Sequence, residues 1–511
     1  MEEGVFMWVS GANRSLVNQP VRFRGAVQSS VSRQEKDSLG VVDVPKDAYV
    51  GAQSVRAWKN FPGRPGMTPT DAYPAWIHAM GLIKQAAAQA NQSLGLLAPD
   101  DPARNERVGT AIQKAAKEMA VSDKFNNQFK LNVVQGGAGT SLHMHVNEIL
   151  ANRASELMGG RKGQYEVNPN DDVNYGQSTN DVIPMSARLT ILLMQKQLLE
   201  SASTLEAALR KKGQENKDVI IGGRTHLQDA VPITLGQVFG AWADAVKFAK
   251  RNVVQAGQGL EEVSLGATAV GTGLNTHPDY RQKVIQNLSK LTGIPFKPES
   301  NYFLATNSMA GVVRYSSALK DLAVELDKIC NDLRLYGSSP YTAIGELKLP
   351  ELQPGSSIMP GKVNPVIPEM LNQISYAVQG NALTVDLCAR NGQLQLNVMG
   401  PMALYKITDS IRLLSDGMKA LAEKCVDGIQ PNTDLIHDRV NHGTTLVTAL
   451  NPYIGYSKAA EISKTMRSTG KPLKEVMASL KLKDKQGQPL QLDEILSPEA
   501  MTQPRPIVRR S

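Results

Sequence analysis

Residues 312–333 read Val312-Val313-Arg314-Tyr315-Ser316-Ser317-Ala318-Leu319-Lys320-Asp321-Leu322-Ala323-Val324-Glu325-Leu326-Asp327-Lys328-Ile329-Cys330-Asn331-Asp332-Leu333. Val312, Tyr315, Leu319, Leu322, Leu326, Ile329 and Leu333 alternate spacings of three and four without a break. That alternation averages 3.5 residues, the period of helices packed nearly parallel along their length. Two other segments carry the same pattern. Ile191, Met194, Leu198, Ala202, Leu205 and Leu209 form one stripe, and Leu404, Ile407, Ile411, Leu414, Met418, Leu421 and Cys425 form another. Helices of 25 to 30 residues would be about 40 Å long at 1.5 Å per residue, longer than most globular helices. Three such segments predict a mainly α protein built on a long-helix bundle.

Shorter helices are expected before the bundle, over about 71–94, 102–120 and 142–158. Beyond about 430 the regularity is lost, and Pro431, Gly443, Pro452, Gly455 and Gly470 break the chain into short elements. The expected organisation is a tail over 1–34, an N-terminal domain over 35–177, a central helical domain over 178–430 and a small C-terminal domain over 431–511. The tail has Glu2 and Glu3 and then no acid until Glu35, with Arg14, Arg22, Arg24 and Arg33 among serines. An organellar import segment has that composition, but the early acids favour a flexible tail on a cytoplasmic protein.

The chain has 511 residues, 41% apolar and only 5% aromatic, with a formal net charge of +8. This mild bias, with no basic block interleaved with aromatics, argues against nucleic acid as a partner and modestly favours anionic substrates. No apolar run approaches a membrane span. Cys330, Cys388 and Cys425 lie in apolar helical patterns without metal or redox spacing, and read as buried hydrophobes in a reducing compartment.

The chemistry gathers in four polar segments. The densest is Gly355-Ser356-Ser357-Ile358-Met359-Pro360-Gly361-Lys362-Val363-Asn364-Pro365. Its prolines exclude a helix or an inner strand, so it is a bent loop between long helices, where function concentrates. The others are Gly139-Thr140-Ser141, Ser178-Thr179-Asn180, and Gly223-Arg224-Thr225-His226-Leu227-Gln228-Asp229. Short hydroxyl and amide side chains at helix starts often serve only as N-caps. Together the four read as one site for a small polyanion, held by hydroxyls and free helix N–H groups. His143 and His145, two apart on a helix, point to different faces and are no metal pair. His277 and His437 fall in loop-like sequence. No spacing calls for a metal, and no dinucleotide fingerprint is present. A Ser356–Lys362 acylating pair is excluded, because Met359-Pro360-Gly361 prevents the single helix turn that such a pair needs.

Residues 355–365 resemble the signature of the aspartase/fumarase superfamily, and the similarity runs over roughly 35–500. Finer features are similar to the aspartate ammonia-lyase branch. They are Val366-Ile367-Pro368-Glu369 after the loop, Leu349-Pro350-Glu351-Leu352-Gln353 before it, Gly392-Gln393-Leu394-Gln395-Leu396-Asn397-Val398, Gln135 to Ser141 and Leu265-Gly266-Ala267-Thr268. Asn168 stands where class II fumarases usually carry a histidine. Gly400, where aspartases often have Glu, and Tyr175-Gly176 depart from the pattern.

The resemblance implies reversible elimination of ammonia from L-aspartate to give fumarate, without a cofactor or metal, through an enediolate-like dianion. It implies Ser356 as the base, with Lys362 supplying part of the field that favours its anion. Thr140, Ser178, Thr179 and Ser357 would hold the carboxylate that becomes the enediolate. Lys362, Asn364 and Thr225 would hold the other carboxylate. Asn180 and His226 would contact the departing amine or its neighbouring carboxylate. It also implies a three-domain fold in a homotetramer, its long helices joined in a multi-helix core and each site drawn from three subunits. Class II fumarase is the alternative on the same scaffold. A non-catalytic assembly protein is the remote one.

Overall fold

The computed structural model describes residues 31–480, 487–488 and 490–502, and the fold is mainly helical. Five long helices form its centre: Thr179–Glu215, Leu235–Gln258, Ala310–Tyr336, Val366–Arg390 and Gly400–Lys424. Each packs on two others and the ring closes, with the 179–215 helix lying between those at 235–258 and 400–424. The three sequence stripes face this interior: all their members are buried except Val312 and Met194, which are half-buried. Helix 179–215 has 37 residues, about 55 Å at 1.5 Å per residue, longer than its stripe alone predicts. A capping box starts it, with Ser178 and Asp181 each accepting a backbone N–H.

The helix directions decide where the polar segments go. The starts of helices 179–215, 310–336 and 400–424 line a common cavity at one end of the bundle. At the other end, the start of helix 366–390 meets Lys424 and Cys425, and Gly236 abuts Gly213 and Lys217.

Helices Pro74–Ser93, Pro102–Val121 and Thr140–Leu157 pack beside the bundle. The first starts three residues later than predicted: Tyr73 is forced out of the helical region before Pro74, leaving Pro69–Ala72 as a separate short turn. Residues 1–30 of the predicted tail lie outside the described residues. Residues 31–34, placed with that tail from the sequence, run instead into a hairpin, Ser32–Asp37 with Gly40–Pro45. The Arg33 guanidinium fastens it by donating to Glu35 and to the carbonyls of Pro45, Lys46, Ala48 and Val50. His437 lies exposed on helix Thr433–His442 rather than in a loop. Leu446, Leu450, Ile462, Leu473 and Val476 belong to a second apolar cluster near the C-terminus. All three cysteines are buried. No helix among the described residues is long and apolar enough to cross a membrane.

Candidate active site

Helix Thr140–Leu157 begins against the start of helix Thr179–Glu215. A Cβ on Gly139 would meet the Ile183 side chain at 3.1 Å, and Gly139 has φ +87°, so glycine is required there. This contact brings the start of the helix that carries Thr140 to the start of the helix that carries Thr179 and Asn180, with Gly139, Thr179 and Asn180 lining one cavity. Ser178 is an N-cap, its Oγ accepting from the Asn180 N–H at 3.2 Å; its own O–H remains free to donate. Asn180 donates its amide to the Ala269 carbonyl at 2.7 Å. That bond ties it to the segment that follows Leu265–Thr268.

The 355–365 loop caps the far end of the bundle. Gly355 N–H donates to the Lys362 carbonyl at 2.7 Å, and Asn364 donates its side-chain amide to the Gly355 carbonyl at 2.9 Å. A Cβ at Gly355 would stand 2.8 Å from the Lys362 carbonyl oxygen, so only glycine closes this neck. Within the closed loop, the Ser356 Oγ accepts from the backbone N–H groups of Ile358 at 3.2 Å and Met359 at 3.0 Å. Two amides aimed at one oxygen favour its anionic form. Ser357 and Lys362 are exposed.

Thr225 and His226 lie on the hairpin Ile220–Thr225 with Gln228–Thr234. His226 and Leu227 form its two-residue turn with φ +54° and +60°. Such a turn demands positive φ at both positions, normally met by Asn and Gly. Holding two ordinary side chains there costs about 1–3 kcal/mol each, strain of the kind that clusters at active sites and ligand clamps. His226 is exposed.

What holds the hairpin is a buried carboxylate that sequence reading passed over. Glu346 is 2% exposed and accepts both guanidinium Nη groups of Arg224, one at 3.0 Å. Arg439 approaches it at 3.9 Å. The bond to Glu346 raises the Arg224 pKa against the opposing pull of burial. Glu346→Ala should cost about 2–3 kcal/mol, because it strands a part-buried guanidinium. A lowered Tm together with reduced kcat/KM is the expected result; an unchanged Tm would show that the pair does not hold the turn.

Within one chain, then, the predicted residues fall into two sets at opposite ends of the bundle. Thr140, Ser178, Thr179 and Asn180 form one; Thr225 and His226 share the other end with Ser356, Ser357, Lys362 and Asn364. His143 and His145 face different ways as expected, His143 toward Thr179 at 2.9 Å and His145 toward the Gln128 carbonyl at 3.0 Å. Two residues near Thr179 were given no role at the site from the sequence: His143, weighed there only as a metal ligand, and the buried Lys84. The signal for Lys84 was its register: it falls on the stripe Ile77, Met80, Lys84, Ala87 and Asn91, where a lysine has no access to water. Asn168 caps a single π-turn, accepting from the N–H groups of Asn170 and Asp171. Gly176, at φ +68°, bends the chain ahead of Ser178.

Sequence and structure comparisons place the chain among known lyases. A family model described as Lyase matches residues 40–380, and one described as Fumarase C C-terminus matches 446–503. The aspartate ammonia-lyase of Pseudomonas aeruginosa is 47% identical over 94% of this chain and 99% of its own length. That of Helicobacter pylori strain J99 is 42% identical over 92% and 98%. Among solved structures, a fumarate lyase:delta crystallin from Brucella melitensis superposes with a TM-score of 0.86 at 43% identity, covering 93% of this chain and all of that one. A class II fumarase from Schistosoma mansoni gives 0.84 at 34% identity over 92% and 99%. The chain belongs to the aspartase/fumarase family of lyases.

Proposed function

We infer that this chain is an aspartate ammonia-lyase, a carbon–nitrogen lyase that converts L-aspartate reversibly to fumarate and ammonia. The observation that carries this reading is full-length identity of 41–47% to aspartate ammonia-lyases, against 34% to the class II fumarase structure.

Ser356 removes the proton from the carbon beside one carboxylate. The electron pair moves into that carboxylate as an enediolate-like dianion, then returns to form the double bond as the C–N bond breaks. Stabilising the dianion is the largest catalytic demand. Thr140, Ser178, Thr179 and Ser357 meet it with hydroxyl donors, and Lys362, Asn364 and Thr225 hold the second carboxylate. Asn180 and His226 attend the departing amine. The amide pair on Ser356 supports its role as base.

The enzyme is a cytoplasmic homotetramer of three-part chains, divided near 177 and 430. Two observations support assembly. The two halves of the site lie at opposite ends of a bundle whose longest helix has 37 residues, so one chain does not close a site. The outer face of helix Val366–Arg390 presents Tyr376 at 55%, Leu383 at 61% and Leu387 at 39% exposure, an apolar stripe that asks for a partner helix.

Purified protein given aspartate and malate separately, with fumarate absorbance followed, should produce fumarate from aspartate. Turnover of malate alone would replace this reading with the fumarase one.

A further inference from the structure

Behind Thr179 lies a polar cluster in which Lys84, His143 and Gln177 are buried and Asn174 half-buried. Lys84 is completely buried. Its Nζ donates to Gln177 Oε1 at 2.8 Å and Asn174 Oδ1 at 3.2 Å. The orientation of both amides is fixed from the other side. Asn174 Nδ2 donates to the Gln177 carbonyl, and Gln177 Nε2 donates to the carbonyls of Val173 and Tyr175. The third partner of Nζ is His143 Nε2 at 2.8 Å, and His143 Nδ1 lies 2.9 Å from Thr179 Oγ1.

This geometry admits two proton arrangements. An ammonium has three protons and no lone pair. It gives two to the amides and one to His143 Nε2, so the single N–H of a neutral imidazole sits on Nδ1 and donates to Thr179 Oγ1. The Thr179 O–H is then left for another acceptor. A neutral amine gives both its protons to the amides and accepts from His143 Nε2–H. Nδ1 then accepts a hydrogen bond from the Thr179 hydroxyl and turns its proton away from the cavity. Burial holds the Lys84 pKa well below the usual lysine range, toward the neutral amine, with the Asp181 carboxylate opposing it; the choice between the two arrangements is therefore left to the tautomer of His143, which 15N spectra read directly. Asp181 is itself buried and accepts the N–H groups of Ser178, Gly266 and Thr268. Burial and the neighbouring lysine keep His143 neutral.

We propose that Lys84 and His143 are a positioning pair that aims the Thr179 proton at the substrate: the Lys84 ammonium donates to His143 Nε2, His143 Nδ1–H donates to Thr179 Oγ1, and the Thr179 hydroxyl is left to donate to the carboxylate. The proposal rests on Thr179 being a carboxylate ligand. Its donated bond strengthens as charge builds on that carboxylate, so the pair acts on kcat more than on KM.

The test is a set of variants of the whole protein assayed with aspartate. His143→Leu should lower kcat/KM about 10- to 100-fold, chiefly in kcat, the range for stranding buried partners. His143→Asn, whose amide N–H can stand where Nδ1–H stood, should stay within about 5-fold of the unaltered enzyme. Thr179→Val should be impaired alone, and adding His143→Leu to it should lower activity less than about 2-fold further, since the two act through one hydroxyl. Equal losses from His143→Leu with and without Thr179→Val would overturn the pair, as would His143→Asn no better than His143→Leu. Full activity of Thr179→Val would instead remove Thr179 as a ligand. Histidine 15N spectra, with the His143 signal assigned by its loss in His143→Asn, decide the direction without relying on activity. Nδ1–H is expected, and Nε2–H would refute the arrangement.

Discussion

Ser356→Ala lowers kcat about 10²- to 10⁴-fold, the usual contribution of a positioned general base, while KM for aspartate and the assembly change little. The selectivity follows from the loop's construction. Ser356 contributes nothing to the neck that closes the loop, which is made by Gly355 N–H on the Lys362 carbonyl and Asn364 on the Gly355 carbonyl. Its Oγ engages only two backbone amides, of Ile358 and Met359. In the proposed mechanism alanine removes the group that takes the proton, and it leaves the backbone free to keep its path, with the two N–H groups of this exposed stretch satisfied by water. The proposed carboxylate ligands Lys362 and Asn364 are untouched, so substrate binding should survive. Steady-state kinetics and light scattering on the same preparation check both halves. Near-normal turnover would eliminate Ser356 as the base.

Two impaired variants, Ser356→Ala and Thr179→Val, should recover activity when their subunits are mixed. Thr179 lies at one end of the bundle and Ser356 at the other, along a helix of 37 residues, about 55 Å. In the proposed assembly a working site therefore takes these two residues from different chains. After dissociation and reassembly of an equal mixture, a site has a chance of about a quarter of receiving both intact residues, given random assembly into a closed oligomer. Activity should rise from the low level of either parent to about a quarter of the unaltered enzyme. Mixing without dissociation should give no gain, which separates subunit exchange from trace contamination. Failure to complement after verified exchange would mean that both residues serve a site within one chain, and the shared-site reading would fall.

Much of the fold was legible from spacing alone. The stripes 312–333 and 404–425 mark buried faces because an apolar residue at every third or fourth position leaves a helix nowhere to go but against others. The 355–365 loop was legible as a loop because its prolines exclude regular structure. The break at Pro74 was visible too, yet the predicted helix ran through it, as helical composition on both sides outweighed the local constraint. Candidate site residues on loops and helix starts could be nominated from the sequence because short hydroxyl and amide side chains gather there in four separate segments. Glu346, Lys84 and His143 were not, because nothing near them in sequence says what they touch. Lys84 finds Asn174, Gln177 and, through His143, Thr179 only when three separate segments converge.

By itself the sequence determined the helical bundle, the bent polar loop and the set of hydroxyl, amide and cationic side chains able to hold a dicarboxylate. These depend on period, backbone restriction and side-chain chemistry, all properties of short stretches. Tertiary structure alone decided which of those side chains share an end of the molecule, that Ser356 receives two amides, that a strained turn presents His226, and that a buried lysine stands behind Thr179. Those facts depend on the direction and length of helices relative to one another, and no local stretch of chain carries that information.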